Sequence, residues 1–181
     1  MMYVISGKLK GKKLTNPKSK SVRPAMALVR KSIFDTLGSL VEDANVLDLC
    51  AGTGSLGLEA ISRGAKKLTL VDSDDSAIKT IFKNLEFCKV KARVIKGKLP
   101  LVLYRKNLEK EKFDLIFLDP PYGQGDFIEE LLKVLAYKKI LAKEGLILIE
   151  TEKKCRFELP EKLEVYKEKI YGNTKVTFLS S

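Results

Sequence analysis

The fold of this chain is decided by the stretch Asn45-Val-Leu-Asp-Leu-Cys-Ala-Gly-Thr-Gly-Ser-Leu-Gly57. Its apolar residues up to Leu49 predict a short buried strand, and Leu58, Ala60 and Ile61 predict an amphipathic helix after the glycines. Glycines at such a junction allow a tight turn whose backbone N–H groups approach a ligand closely. Because strands and helices continue to alternate downstream, we expect this turn at the carboxyl edge of a parallel sheet, where ligands bind.

The glycine spacing matches G-x-G-x-x-G, but the spacing alone does not choose the ligand. Asp72 follows Gly52 by 20 residues, as in dinucleotide sites, and FAD and S-adenosylmethionine use the same geometry. Asp48 would repel a pyrophosphate but suits an ammonium group; alternatively, it caps amides of the turn. Asp72 is expected to bind ribose hydroxyls, or else to cap the next helix. The predicted cofactor-binding residues are Asp48, Cys50, Ala51, Gly52, Thr53, Gly54, Ser55, Asp72 and Ser73.

A second motif, Asp119-Pro-Pro-Tyr122, follows the apolar run Phe113–Leu118, which predicts another buried strand. Two prolines cannot continue a sheet, so the chain leaves it there with a stiff backbone. A carboxylate, a fixed carbonyl and an aromatic ring can together hold a planar base that carries an amino group. The alternative is a strand exit with a packed tyrosine. The predicted catalytic residues are Asp119, Pro120, Pro121 and Tyr122.

The two motifs together resemble those of class I S-adenosylmethionine-dependent methyltransferases that act on exocyclic amino groups. The segments Tyr3–Leu14, Val22–Pro24 and Val29–Phe34 are similar to the RsmD family, whose members methylate guanine N2 in small-subunit (16S) ribosomal RNA. This resemblance implies S-adenosyl-L-methionine as cofactor and a monomer acting on ribosomal RNA, within a small-subunit assembly particle. The chain departs from the family at Ala25–Ala27, where polar residues are usual, and at Lys96–Lys98, where an aspartate usually holds the adenine.

The charge of the chain also indicates a polyanionic partner. It has 34 Lys+Arg and 23 Asp+Glu residues, a net charge of +11. Residues 1–40 carry nine basic side chains and the single acid Asp35, so +8 of this charge lies there. Lys8, Lys10 and Lys12 would share one face of an extended segment. The alternative is a basic surface that aids solubility. The predicted RNA-binding residues are Lys8, Lys10, Lys12, Lys13, Arg23 and Arg30.

Composition narrows the remaining chemistry. The chain has no histidine, which excludes a histidine general base, and its three cysteines lack metal-binding spacing, so no metal is expected. The cysteines are expected to be reduced. No signal peptide is evident, and no apolar run approaches the roughly 18 residues of a membrane span. We therefore expect a cytoplasmic protein that does not contact membranes.

The predicted fold is α/β and Rossmann-like, of the class I methyltransferase type. We expect a mostly parallel seven-stranded sheet with helices on both faces, a C-terminal antiparallel hairpin and a small N-terminal β-hairpin arm. Residues 1–24 are the predicted basic RNA-binding arm, and residues 25–181 the predicted methyltransferase domain. Helical periodicity places each of two sets of apolar residues on one face of a helix, and the first set is expected to face the core. They are Met26, Val29, Ile33 and Leu37 in one helix, and Ile78, Ile81, Phe82 and Leu85 in another.

Three other functions fit parts of the sequence. An adenine-N6 methyltransferase, or another amino-directed nucleic-acid methyltransferase, shares the Asp-Pro-Pro-Tyr chemistry, but such enzymes usually carry a separate target-recognition region. A nicotinamide-dependent oxidoreductase fits the glycines but leaves Asp119 and Tyr122 unused. A non-catalytic RNA-binding module would not need these two residues either.

Overall fold

The computed structural model describes residues 2–16, 24–105, 108, 110–121 and 123–181. The chain divides into two compact units, residues 1–96 and residues 97–181. Over the described residues, the strands form a two-stranded hairpin and a sheet of seven strands, mostly parallel, which confirms the predicted α/β architecture. The predicted domain boundary at residue 24 remains a prediction. In the described part of the chain, every helix is too short or too polar to cross a membrane.

The first unit alternates strands and helices after a short hairpin. Its elements are β1 (Met2–Tyr3), β2 (Lys13–Leu14), α1 (Pro24–Leu37), β3 (Asn45–Leu49), α2 (Ser55–Ser62), β4 (Lys67–Asp72), α3 (Asp75–Cys88) and β5 (Arg93–Lys96). Strands β1 and β2 pair antiparallel, as predicted for the N-terminal hairpin. Strand β4 pairs in parallel with both β3 and β5. The residues that follow β3 and β4 therefore lie at the same carboxyl edge.

The second unit carries the antiparallel end of the sheet. Its elements are β6 (Phe113–Leu118), α4 (Gly125–Lys138), β7 (Leu141–Glu152), β8 (Glu164–Tyr171) and β9 (Thr174–Ser180). Strands β6 and β7 are parallel, whereas β9 pairs antiparallel with both β7 and β8. The predicted C-terminal hairpin is thus confirmed.

The predicted inward face of α1 is buried at Val29, Ile33 and Leu37. The side chain of Met26, the fourth member of that set, lies outside the described part of the structure. Burial of these apolar side chains, rather than intrinsic helix propensity, is what stabilises such a helix.

Phe82 of α3 was predicted to share one face with Ile78, Ile81 and Leu85, and this prediction is wrong, because Phe82 is 55% exposed whereas Ile81 and Leu85 are buried. The buried stripe of α3 instead runs through Ala77, Ile81, Leu85 and Cys88. Phe82 follows Ile81 directly, and one residue turns a helix by about 100°, so its ring falls beyond the edge of this stripe.

Candidate functional site

The turn between β3 and α2 has the tight backbone that its glycines predict. Cys50, Gly52 and Gly54 have φ angles of +60°, +58° and +74°. The Gly54 N–H donates to the Ala51 carbonyl across 2.7 Å, and the Ala51 N–H donates to the Val71 carbonyl of β4 across 2.9 Å. Gly54 directly precedes α2. The predicted cofactor residues from Cys50 to Ser55 therefore form one closed turn at the carboxyl edge of β3.

Asp48 lies beneath this turn. It is 1% exposed, and its Oδ2 accepts a hydrogen bond from the Gly57 N–H of α2 at 3.0 Å. A carboxylate this deeply buried and bonded to a backbone amide supports the alternative in which Asp48 stabilises the turn. Its contact with the cofactor stays a prediction.

Asp72 lies at the end of β4 and is half-buried. Its Oδ2 accepts from the Gly52 N–H at 2.8 Å, and its Oδ1 accepts from the Asp74 N–H at 2.9 Å. Asp74, not Asp72, caps α3, because its Oδ1 accepts from the Ala77 N–H. Each Asp72 oxygen has a second acceptor position in addition to the bond described. Binding of ribose hydroxyls stays a prediction that this geometry permits.

The two glycines of the turn differ in what a side chain would meet. A Cβ on Gly54 would contact side chains of Leu70 and Ile81 at 3.6 and 3.7 Å, so it points into the core. A Cβ on Gly52 meets only the Cys50 carbonyl, at 3.9 Å. Gly52 is therefore the glycine whose open side faces space that a ligand can use.

The N-terminal hairpin is held to α2 by a buried carboxylate that the sequence analysis missed. Glu59 is fully buried, and its oxygens accept from the Ile5 and Ser6 N–H groups at 2.7 and 3.0 Å. The same carboxylate pairs with Arg63 at 2.8 Å and with Arg30 at 3.8 Å. Backbone donors and two guanidinium groups together compensate the buried charge.

Arg30 was predicted to bind RNA, and this prediction is wrong. The side chain is 8% exposed, it lies against Glu59, and its Nη2 donates to the Tyr3 carbonyl at 2.5 Å. A guanidinium group with these buried partners stabilises the hairpin and is not available to contact a phosphate. Arg23 lies outside the described residues.

The lysines of the hairpin do not form an extended face as predicted. Residues 8–11 are a turn, in which the Lys10 N–H donates to the Gly7 carbonyl and the Lys12 N–H donates to the Leu9 carbonyl. Lys8, Lys10 and Lys13 are nevertheless exposed. With the half-buried Lys12, they remain predicted RNA contacts; Lys8 and Lys10 lie on the folded turn and Lys13 lies in β2.

Gly7 sets the distance between this turn and α2. A Cβ there would lie 1.8 Å from the Ser62 carbonyl oxygen, whereas a Cβ on Gly11 meets nothing within 4 Å. Both glycines have positive φ, +78° and +81°. Gly7→Ala and Gly11→Ala therefore share the cost of left-handed backbone, about 1–2 kcal/mol, but only Gly7→Ala adds a backbone clash.

We expect Gly7→Ala to lower the free energy of unfolding by about 1–3 kcal/mol more than Gly11→Ala does. Urea denaturation of the two variants checks this. Equal losses in both would show that the close contact between Gly7 and Ser62 is not needed for stability.

Asn84 of α3 joins the hairpin to the glycine turn, which sequence patterns gave no reason to expect. Its side chain is fully buried. The amide oxygen accepts from the Thr15 N–H at 2.7 Å, and the amide nitrogen donates to the Thr15 and Thr53 carbonyls at 3.1 and 2.9 Å. The Thr53 hydroxyl also lies 3.4 Å from the Met2 sulfur. The cofactor turn and the N-terminal segment therefore share one side-chain tether.

In the second unit, the predicted catalytic motif begins directly after β6, as expected. Asp119 and Pro121 are exposed, and Pro120 is buried; Tyr122 lies outside the described residues. Leu118 pairs with Ile149 of the parallel strand β7, so Glu150 follows Ile149 at the edge where Asp119 follows β6.

Glu150 and Thr151 line a narrow crevice together with Pro120 and Pro121. Thr151 is 3% exposed, and within the described part of the chain its hydroxyl has no hydrogen-bond partner. Sequence reasoning did not single out these two residues, because they end a strand whose apolar pattern predicts only burial.

Among the described residues, no group of three or more His, Cys, Asp or Glu side chains is arranged to hold a metal ion. The three cysteines are free thiols. Burial raises the pKa of the Cys88 thiol, while the nearby Lys12 charge lowers it, and the net shift is upward. Cys88 is therefore protonated and unreactive near neutral pH.

The chain matches the family model described as conserved hypothetical protein 95 over residues 2–180. It is 34% identical to ribosomal RNA small subunit methyltransferase D of Buchnera aphidicola, over 93% of this chain and 87% of the relative. The solved structure of a hypothetical protein of Thermus thermophilus covers 100% of both chains, with 27% identity and a TM-score of 0.83.

A second solved structure, the Thermus thermophilus 16S rRNA N2 methyltransferase RsmC in complex with AdoMet and guanosine, has a TM-score of 0.68. It is 24% identical and covers 91% of this chain and 44% of that chain. At this identity the likeness shows a shared fold alone.

Proposed function

This chain belongs to the conserved hypothetical protein 95 family, the RsmD family, and we propose that it methylates the exocyclic N2 of a guanine in small-subunit ribosomal RNA, with S-adenosylmethionine as donor. The less specific part of this activity, methylation of small-subunit ribosomal RNA, is the activity for which relatives matching most of this chain are named. The observation that supports this proposal is the turn after β3, in which Asp72 accepts a hydrogen bond from the Gly52 N–H.

The donor fits the residues of this turn. The ribose hydroxyls of an adenosine would bind Asp72, whose oxygens hold the turn without capping α3. The open side of Gly52 leaves space for the ligand. Bound S-adenosylmethionine supplies a methyl group already activated by its sulfonium, so the protein need not build a nucleophile of its own.

The residues at the end of β6 supply the amino-directed chemistry. The guanine N2 lone pair is delocalised into the ring, so its hydrogens need acceptors that favour a pyramidal nitrogen. Asp119 and the Pro120 carbonyl are the proposed acceptors, and positioning of this kind supplies several kcal/mol. As the carbon–nitrogen bond forms and the carbon–sulfur bond breaks, one N2 proton leaves to Asp119, directly or through water. Tyr122 is proposed to stack on the flipped base.

Transfer of labelled methyl to small ribosomal subunits, followed by nucleoside analysis, tests this function. Label in N2-methylguanosine is the expected result. Label in N6-methyladenosine would replace the guanine proposal by the adenine-directed alternative. NADH binding without any methyl transfer would favour the oxidoreductase. Running naked 16S RNA beside assembled subunits tests the further proposal that the substrate is ribosomal RNA within a small-subunit particle.

Asp72→Ala is expected to weaken S-adenosylmethionine binding by about 1–3 kcal/mol, because the cofactor loses hydrogen bonds to a charged acceptor and the turn loses its tie at Gly52. Calorimetric titration measures the effect. Asp75→Ala is the matched control, since Asp75 is exposed and pairs with Lys96 at the surface. Equal affinities of the two variants would remove Asp72 from the cofactor site.

A further inference from the structure

A groove in the first unit lies between β2 and α3 and has a cavity volume of about 500 Å³. Its lining residues are Lys13, Leu14, Thr15, Lys83, Glu86 and Phe87. We propose that this groove is a nucleotide subsite for single-stranded substrate RNA, in which a base stacks on Phe87 while Lys13 and Lys83 contact the flanking phosphates. The proposal rests on the RNA methylation proposed above and adds α3 to the RNA-binding surface.

Phe87 provides a flat apolar surface next to positive charge. Its side chain is 56% exposed, although Leu85 and Cys88 close to it on α3 are buried. Lys12 lies with its Nζ 5.4 Å from the ring centroid, and the same Nζ is 3.5 Å from the Phe87 carbonyl oxygen. An exposed aromatic ring flanked by cations is the arrangement on which proteins stack the bases of single strands.

The charges around the groove favour a polyanion. Three lysines, Lys12, Lys13 and Lys83, surround it, against the single carboxylate of Glu86. Lys79 lies one helical turn before Lys83, so it extends the positive surface along α3. Phosphate groups on either side of a stacked base would pair with these lysines, whereas an uncharged apolar partner would leave their charges uncompensated.

The groove is also linked to the proposed cofactor turn within the same unit. Thr15, which lines the groove, is hydrogen-bonded to Asn84, and Asn84 donates to the Thr53 carbonyl in the turn. One side chain therefore separates the wall of the groove from the residues proposed to bind the methyl donor. RNA held in the groove is thus held close to the cofactor site.

The α3 helix offers a matched pair of aromatic variants to test the groove. Phe82 is 55% exposed, nearly the same as Phe87, but it does not line the groove. We expect Phe87→Ala to weaken binding of a fluorescent single-stranded oligouridylate by roughly 5- to 150-fold, the range for loss of one stacked base. Phe87→Tyr keeps a ring and should bind like the unaltered protein. Phe82→Ala should leave the affinity unchanged.

The charge contribution is measured by salt dependence. Lys83→Gln should reduce the slope of log affinity against log salt by about 0.7, the value for one phosphate of a single strand. Lys66→Gln, at an exposed lysine immediately before β4, is the control and should not change the slope. Equal effects of Phe87→Ala and Phe82→Ala on affinity would overturn the proposal. Displacement of the oligouridylate by polyglutamate at equal charge concentration would also overturn it, because the surface would then be merely cationic.

Methyl transfer by the unaltered protein separates this proposal from the one on which it rests. Transfer to ribosomal subunits together with identical affinities of Phe87→Ala and Phe82→Ala would reject the groove and leave the function standing. Phe87-dependent RNA binding without any methyl transfer would reject the function and leave the groove standing. Thermal unfolding of Phe87→Ala should match that of Phe82→Ala, since both rings are more than half exposed.

Discussion

Replacing Asp119 by asparagine is expected to lower the rate of methyl transfer by roughly 100- to 10,000-fold, the usual contribution of a positioned proton acceptor. The exchange keeps the size of an exposed side chain at the end of β6. The exchange removes the negative charge that attracts the N2 hydrogens. The NH₂ group of the asparagine also donates a hydrogen bond where an acceptor is needed. Single-turnover rates on small ribosomal subunits, with enzyme in excess, measure the chemical step directly.

The matched control for this variant is Asp126→Asn, which removes an exposed carboxylate from the first turn of α4 in the same unit. Its single-turnover rate should equal that of the unaltered protein. Affinity for S-adenosylmethionine should be nearly the same in both variants. An Asp119→Asn enzyme that transfers methyl at the rate of Asp126→Asn would exclude Asp119 from the reaction.

The parts of the fold that the sequence predicted are those set by local patterns. The strand before the glycine turn, the helix after it and the C-terminal hairpin follow from apolar periodicity and from residues such as Gly52 and Gly172 that adopt positive φ. The predicted position of Asp119 at a strand exit follows from the two prolines behind it.

The parts that the sequence did not predict depend on contacts between distant residues. Glu59 binds the amide of Ile5 from 54 positions away, and Asn84 binds Thr15 from 69 positions away. Composition and periodicity carry no information about such pairs. For the same reason Arg30 was predicted to bind RNA, since a positive side chain near a basic terminus gives no sign of its buried carboxylate partner.

The burial of Glu59 also decides how the basic hairpin can be studied. Deleting the hairpin would strip Glu59 of two backbone donors and remove Val4 and Leu14, both now buried. Weakened RNA binding in such a truncated protein would then have two causes, the loss of positive charge and the loss of stability, which the experiment would not separate. Substitutions confined to exposed lysines, such as Lys8→Gln and Lys10→Gln, change the charge alone.

Glu59→Ala is expected to lower the free energy of unfolding by about 3–5 kcal/mol, the usual cost of removing one partner from a buried ion pair. The substitution leaves the guanidinium groups of Arg30 and Arg63 without the carboxylate between them, and it leaves the Ile5 and Ser6 amides without their acceptor. Glu59→Gln keeps one acceptor oxygen and the side-chain volume, so its loss should be smaller. Urea denaturation of the three proteins gives the order.

Asp35→Ala is the control for loss of an exposed carboxylate, because Asp35 is 48% exposed, pairs with Lys31 at 2.7 Å on the surface of α1, and lies only at 4.0 Å from Arg63. A solvent-exposed pair contributes at most about 1 kcal/mol, so Asp35→Ala should change stability little. If Glu59→Ala cost no more than Asp35→Ala, the hairpin would be held by its apolar contacts instead. The buried carboxylate would then not be needed to hold the hairpin against α2. Glu59→Ala and Glu59→Gln would also have the same free energy of unfolding.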